Sequence, residues 1–227
     1  MAVHGGTDLV TDGLTFAIDV LSENCYPGSG TTITDLIGGN VGTLTNSPTI
    51  GTSPTKFIDM SGNSGTVVFT DYKPTTLHTD SYSLEIWFTV RTGGGFETLF
   101  SQGVGFQTYA KDSKLEIYQS NNGSAYNILN GTKNDTAIGS VGDWCQFVIH
   151  RSGSTITFFV NGAADGTVTG LSSTVSATNQ SHQYFGTYSG SNYLYAGDIG
   201  PVRIYNRALT VAEINQNFNQ QRNRFGI

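Results

Sequence analysis

Charge is scarce in this chain. Asp, Glu, Lys and Arg make up 12% of its 227 residues, about half the share usual in soluble domains. With 17 acidic and 11 basic residues the net charge is −6, so a nucleic-acid backbone would be repelled over most of the surface. Cysteine is nearly absent. Cys25 and Cys145 cannot build a disulfide framework. Cys145, beside Trp144 in an apolar stretch, reads as a buried free thiol, although sequence does not fix its distance from Cys25. No apolar run approaches the roughly 20 residues that span a bilayer, and the first residues, Met1 to Asp8, lack a signal-peptide h-region. The expectation is a protein made in the host cytoplasm with no membrane partner. His4, His78, His150 and His182 are scattered, without zinc-ligand spacing or a nucleophile motif beside them.

What remains is glycine, aromatics and uncharged polar residues. Gly is 29, Phe 13 and Tyr 11, enough apolar bulk for a core under a coat of Thr, Ser, Asn and Gln. Short alternating runs recur along the chain. They predict strands at 14–18, 56–60, 66–72, 83–90, 96–103, 105–110, 114–119, 126–129, 144–150, 155–160, 167–169, 184–188, 193–196 and 200–205. Between them, 22–54 reads as a Gly- and Thr-rich excursion with little period. Lys111 to Ser113 and Asn121 to Gly123 supply turns, and Asn161-Gly162 is a type I′ hairpin signal. The pattern predicts one all-β domain over 1–227, a two-sheet antiparallel sandwich with no internal repeat.

The last part of the chain is the most legible. Val202 and Ile204 alternate with Arg203 and Tyr205, and a turn follows. Thr210 with Glu213 three residues on then forms a capping box, and Leu209 with Ile214 a hydrophobic staple. Ile214 and Phe218 share one stripe of a short C-terminal α-helix, with its Asn and Gln positions expected to face water. Gly197 to Ile214 resembles the closing signature of concanavalin A-like, LamG-type jelly-roll domains. Gly13 to Asp19, Ser83 to Trp87, and Trp144 to Arg151 leading to Phe159-Val-Asn-Gly162 agree with that family in the same order. At Gly200 many relatives carry an acid instead. The resemblance implies a jelly roll and places the chain nearest LamG-like structural proteins of tailed bacteriophages. The first functional expectation is therefore a non-enzymatic virion protein that decorates or cements a capsid or tail, its partners other virion proteins or further copies of itself. The alternative is a lectin-like adhesin for host-surface glycan, and a glycoside hydrolase of the same fold ranks third.

Candidate site residues follow from these readings. Hydrolysis needs two converging carboxylates, but Glu85 is followed on its face by Trp87 and Thr89, and Glu116 by Tyr118 and Ser120. No catalytic residue is assigned. For a ligand, Trp87 lies opposite the Leu84, Ile86, Phe88 stripe, and Tyr184, Tyr188, Tyr193 and Tyr195 crowd one late segment with Asn192; such rings stack on sugars and such amides bind hydroxyls. The structural alternative is that these rings form a second apolar layer and cross-strand pairs. For a protein partner, the basic tail 220–227 offers Arg222, Arg224 and Phe225, or else simply solvates the chain end. Asp19, Asp35, Asp59 and Asp198 could contribute to calcium, yet no loop has an acid-rich ligand spacing, so no cofactor or metal is expected. Asn-x-Ser/Thr matches at Asn122, Asn130, Asn134 and Asn179 are those expected by chance in this composition.

Overall fold

The computed structural model describes residues 8–62, 65–70, 75–91, 95–175, 182–190 and 192–227. His4, Asn179 and the last residues of the strand expected at 66–72 lie outside them. The strands, in chain order, are β1 (Leu14–Ile18), β2 (Thr32–Thr34), β3 (Val41–Thr45), β4 (Thr49–Gly51), β5 (Phe57–Asp59), β6 (Thr66–Thr70), β7 (Ser81–Thr89) and β8 (Glu97–Gln102). There follow β9 (Phe106–Lys111), β10 (Lys114–Gln119), β11 (Leu129–Lys133), β12 (Trp144–Ser152), β13 (Thr155–Val160), β14 (Ala163–Val168), β15 (His182–Phe185) and β16 (Asp198–Tyr205), then helix α1 (Val211–Gln221). One sheet runs β14-β13-β12-β7-β16-β5-β4, with β1 also on β16; the other runs β11-β10-β9-β8-β15-β6-β3-β2. Pairing within the named strands is antiparallel throughout.

The two sheets bury their facing sides against each other. Leu84, Ile86 and Phe88 of β7 meet Phe69, Phe100, Phe106 and Phe185 of the opposite sheet in one core. Phe16 of β1 bridges the layers, its ring centroid 5.2 Å from Phe69 and 6.1 Å from Phe185. Each such ring removed from water stabilises the sandwich by about 1.5–3 kcal/mol. Cys25 and Cys145 are both buried free thiols; burial pushes Cys25 up to about 11 and Cys145 further up, so neither ionises readily.

Local chemistry sets the connections. Asn161 and Gly162 take φ of 50° and 80° between the directly paired Val160 and Ala163, the hairpin their identity predicts. Asp112 and Ser113, with φ of 52° and 58°, do the same between β9 and β10. Several expectations fail: 126–128 and 186–188, read as strand, are loop. Segment 22–54 contains β2, β3 and β4; in β3 Gly42 takes an inward position, where a Cβ would come 2.8 Å from the Phe69 ring, and a glycine there hides the alternation. Conversely, 193–196 is loop, although Tyr195 is buried.

Helix α1 seals the outer side of the first sheet. Thr210 Oγ1 accepts from the Glu213 amide at 3.2 Å and the Glu213 carboxylate accepts from the Thr210 amide at 2.7 Å, completing the capping box. Arg207 grips the same carboxylate at 2.6 and 2.9 Å, which holds Glu213 down at about 2. Leu209 and Ile214 pack on Val148, Phe159 and Tyr205. Asn217, expected to face water, is fully buried, because the polar side of α1 meets a polar group on the sheet.

Candidate functional site

That group is Glu85, on the outer face of β7. Its Oε1 accepts from Trp87 Nε1 (3.1 Å), Gln146 Nε2 (3.0 Å) and Arg203 Nη1 (3.1 Å), and its Oε2 from Asn217 Nδ2 (2.9 Å). Trp87 is stacked under Phe225 at 4.5 Å and Phe218 at 5.9 Å, with Trp144 on the other side of Phe225 at 4.5 Å. Trp87 is therefore fully buried and offers no ring to a ligand, contrary to the sequence expectation. Gly200 leaves room for this stack: a Cβ there would lie 3.0 Å from Trp87 Cβ and 3.2 Å from the Phe225 ring, so the space an acid would occupy holds aromatic carbon.

The tail candidates turn inward as well. Arg224 places Nη1 2.7 Å and Nη2 3.0 Å from the Asp19 carboxylate, and Phe225 is buried. Arg222 alone of the three stays exposed, its guanidinium 5.9 Å from the Phe218 ring. The calcium candidates are spent separately. Asp35 accepts from the amides of Ala17, Ile37 and Gly38 and from Asn40 Nδ2, a turn-capping role. Asp59 and Asp198 face each other across the β5–β16 ladder; burial first and then Asp59 push Asp198 up to about 6. Among the described residues no group of three or more His, Cys, Asp or Glu is placed to hold a metal ion.

Among the described residues no helix lies over the outer face of the second sheet. On β9, Gln107 and Tyr109 point outward while Phe106 and Ala110 enter the core; on β10, Glu116 and Tyr118 point outward while Leu115 and Ile117 enter it. The two-residue turn sets the register so that Tyr109 stands opposite Glu116 and Gln107 opposite Tyr118. Phe96, just before β8, Tyr126 from the 120–128 loop and Tyr193 from the 186–197 loop complete the wall of a recess of about 80 Å³. Its rings meet edge to face: Phe96–Tyr109 at 5.3 Å, Tyr109–Tyr118 at 5.3 Å, Tyr118–Tyr126 at 5.0 Å and Phe96–Tyr193 at 5.5 Å. Gly131, at φ 69°, passes beneath Tyr118, where a Cβ would come 2.9 Å from the phenol oxygen.

The hydroxyls of this recess are oriented. Gln107 Nε2 donates to the Gly103 carbonyl at 2.6 Å, which turns its Oε1 toward the ring side. There it accepts from Tyr126 at 2.9 Å and from Tyr109. Tyr118 donates to Glu116 Oε2 at 2.7 Å. Burial raises Tyr109, Tyr118 and Tyr126, so all three are neutral phenols at ordinary pH with their hydrogens committed inward. Tyr109 is itself buried; what Tyr118 and Tyr126, half-buried, turn outward is oxygen lone pairs and π faces. The adjacent cations are occupied: Lys133 sits 2.7 Å from Glu116, a contact that raises its own proton affinity, and Lys111 lies 4.1 Å over the Phe96 ring.

Of the aromatic candidates read from sequence, Tyr193 lines this recess with 51% of its surface exposed, and Tyr188 stands 6.2 Å from it. Asn192 is exposed at the same loop, its Nδ2 on Ser189 and its carbonyl accepting from the Tyr188 amide. Tyr184 lies further along the face, stacked on His182 at 5.5 Å. Tyr195 is buried in the main core, its hydroxyl donating to the Thr89 carbonyl. Phe96, Gln107, Tyr109, Tyr118 and Tyr126 were not singled out, although Gln107-x-Tyr109 and Glu116-x-Tyr118 on either side of a two-residue turn carry the signal.

A two-sheet antiparallel sandwich with one sealed and one open outer face defines a jelly roll of the lectin and glucanase type. The chain belongs to the concanavalin A-like lectin/glucanases superfamily, whose Laminin_G_3 model matches residues 61–215, more than half its length. No curated protein matches it by sequence. Among solved structures it is similar to Trypanosoma rangeli sialidase bound to 2,3-difluorosialic acid, with a TM-score of 0.68 and 16% identity over 95% of this chain and 34% of the sialidase. It is also similar to the binding domain of botulinum neurotoxin serotype D (TM-score 0.70, 12% identity, 92% of this chain, 52% of that one). The binding domain of Paraclostridial Mosquitocidal Protein 1 gives 0.69 and 16% over the same shares, 92% and 52%. The chain thus spans a third to a half of these proteins, and the likeness is one of fold. Among the described residues no helix is long and apolar enough to cross a membrane.

Proposed function

We propose that this protein is a non-enzymatic saccharide-binding module that holds a neutral, hydroxyl-bearing sugar ring in the recess of Phe96, Tyr109, Tyr118, Tyr126 and Tyr193. The observation that carries this reading is the inward commitment of the phenol hydrogens of Tyr109, Tyr118 and Tyr126, three of the four tyrosines of the recess. Outward lone pairs accept hydrogen bonds from sugar hydroxyls, and the ring faces stack on C–H surfaces; a carboxylate or sulfate, which has only acceptors, finds fewer donors there than a hydroxyl-bearing ring finds acceptors. The recess is too small to enclose a drug-sized molecule, so the ligand rests against the rings. Binding without hydrolysis is supported by the carboxylates: Glu85 and Glu116 lie on the outer faces of opposite sheets, each engaged inside the protein. Decoration of a virion through the C-terminal tail is less supported, because Arg224 and Phe225 are used within the domain and only Arg222 of the three stays exposed.

A glycan array followed by calorimetry tests this. The wild type should bind neutral saccharides in preference to sialylated or sulfated ones, and Tyr118→Ala with Tyr193→Ala should weaken binding at least ~10-fold, about 1.4 kcal/mol, with the fold retained by circular dichroism. Binding confined to anionic glycans, no binding at all, or full binding by the double variant would overturn it.

A further inference from the structure

A cation is buried at one end of the core without a carboxylate beside it. Arg151 holds an inward position of β12, directly opposite Tyr82 of β7 and Ile156 of β13, and is 1% exposed. Arg203 is nearly as well buried, but Glu85 answers its charge. Arg151 forms no ion pair with any carboxylate among the described residues. Its Nε donates to the Gly153 carbonyl at 3.1 Å and its Nη2 to the Ser173 carbonyl at 2.8 Å, whereas Nη1 is buried with no hydrogen-bond partner among those residues. A buried lysine can shed its proton; a guanidinium keeps its charge, and a charge left inside a protein without a counter-charge is strongly destabilising.

The groups beside this guanidinium add a donor rather than an acceptor. Gln119 of β10 reaches across the core to Tyr82, its amide nitrogen 2.6 Å from the phenol oxygen. With the amide this way round the phenol accepts and its own hydrogen stays free; with the amide reversed the phenol donates to Gln119 and both amide hydrogens stay free. Either way a neutral donor accompanies Nη1. Burial raises the Tyr82 phenol, and Gln119 and then Arg151 draw it back only in part, so the hydrogen is retained at ordinary pH. Tyr82 and Gln119 are both fully buried, and segment 171–175 closes this end, with Leu171 packed on the core and Val175 buried. That enclosure excludes organic molecules. We infer that Arg151, with Tyr82 and Gln119, forms a binding site for a small monovalent anion of halide size between the two sheets. The anion accepts from Nη1 and from the free phenol or amide hydrogen, and its charge offsets that of the guanidinium. Because the same guanidinium holds the carbonyls of Gly153 and Ser173, anion binding also ties the β12–β13 turn to segment 171–175. The site lies inside the sandwich and is independent of the recess on its outer face.

Thermal melts in sodium chloride against sodium gluconate at matched ionic strength read this binding, since an ion that binds only the folded state raises its melting temperature. On replacing about 0.2 M gluconate by chloride the wild type should gain ~2 °C or more, and bromide should act as chloride does. Arg151→Met keeps much of the stem and removes the charge; it should abolish the gain. A second measurement stands even if that variant does not fold. Diffraction from wild-type crystals soaked in sodium bromide should show an anomalous peak within hydrogen-bonding distance of Arg151 Nη1. Equal melting temperatures in the two salts, or a chloride gain that survives in Arg151→Met, would overturn the site. So would crystals in which a water alone sits at Nη1 and bromide is found on the surface only.

Discussion

The same tripeptide pattern stands on both outer faces and does opposite things. Glu85-Ile86-Trp87 on β7 and Glu116-Ile117-Tyr118 on β10 each send the isoleucine into the core and let the aromatic donate to the carboxylate two residues before it, at 3.1 and 2.7 Å. Over Glu85 lie α1 and the tail, bringing Asn217, Phe218 and Phe225 from the far end of the chain. The result is a closed fastener in which every contact of the carboxylate is internal. Over Glu116 lies no helix among the described residues, and the same arrangement becomes the floor of a recess with several of its rings still partly in water. What separates a structural network from a proposed binding surface here is the cover, which the strands themselves do not encode.

The sharpest way to break that comparison is to remove each carboxylate. Glu85→Ala leaves Arg203, only 5% exposed, as an uncompensated buried charge and should cost about 3–5 kcal/mol in urea unfolding. Glu116→Ala leaves a solvent-accessible Lys133, 38% exposed, and should cost no more than about 1 kcal/mol. Equal losses at the two sites would show that the open face is as structural as the closed one.

Lifting the cover is the next largest effect. Phe225→Ala takes the middle ring from the Trp87–Phe225–Trp144 stack and should destabilise by about 3 kcal/mol, with a red shift of tryptophan emission as water reaches Trp87. Saccharide binding on the other face should be unaffected in the folded variant; a parallel loss of affinity would mean that the two faces are coupled.

The smallest effect concerns a carboxylate that lacks what Glu85 has. Asp198 is pushed up to about 6, first by burial and then by Asp59. A raised carboxyl is protonated in the folded state before it is in the unfolded one. Its contribution is therefore complete below the unfolded value near 3.9 and is lost as pH rises through about 6. Asp198→Asn should raise stability at pH 8 by about 1 kcal/mol, discounted for partial exposure, and leave it unchanged at pH 4. A variant that is less stable at pH 8 would show that the ionised group has a favourable partner.

Much of this architecture was legible because local chemistry and global pattern agree. Thr210 and Glu213 announced α1, Asn161-Gly162 announced the β13–β14 turn, and alternation in β7 and β16 announced which side faces inward. Legibility failed where a residue served a distant neighbour. Gly42 is in β3 because Phe69 needs the space, and nothing in the local run says so. The candidate site was harder still. Linear crowding pointed to Tyr193, which lines the recess, and to Tyr188 beside it, but equally to Tyr195, which is core. Trp87 looked like a platform because its partners Phe218 and Phe225 lie more than a hundred positions later. Tyr109, Tyr118 and Gln107 were invisible as a cluster until strand register set them side by side.

One feature of the topology reaches into the life history of the chain. β16 occupies the middle of the first sheet, pairing with β7 on one side and with both β1 and β5 on the other. Until residues 198–205 have been synthesised, β1, β5 and β7 each carry an unpaired rim of amides and carbonyls flanked by core side chains. Contacts of such long sequence separation are slow to form, and open rims of this kind recruit other chains. A nascent or prematurely terminated product is therefore sticky where the finished one is inert. The last strand is the keystone that decides whether the translated polypeptide becomes a domain or an aggregate.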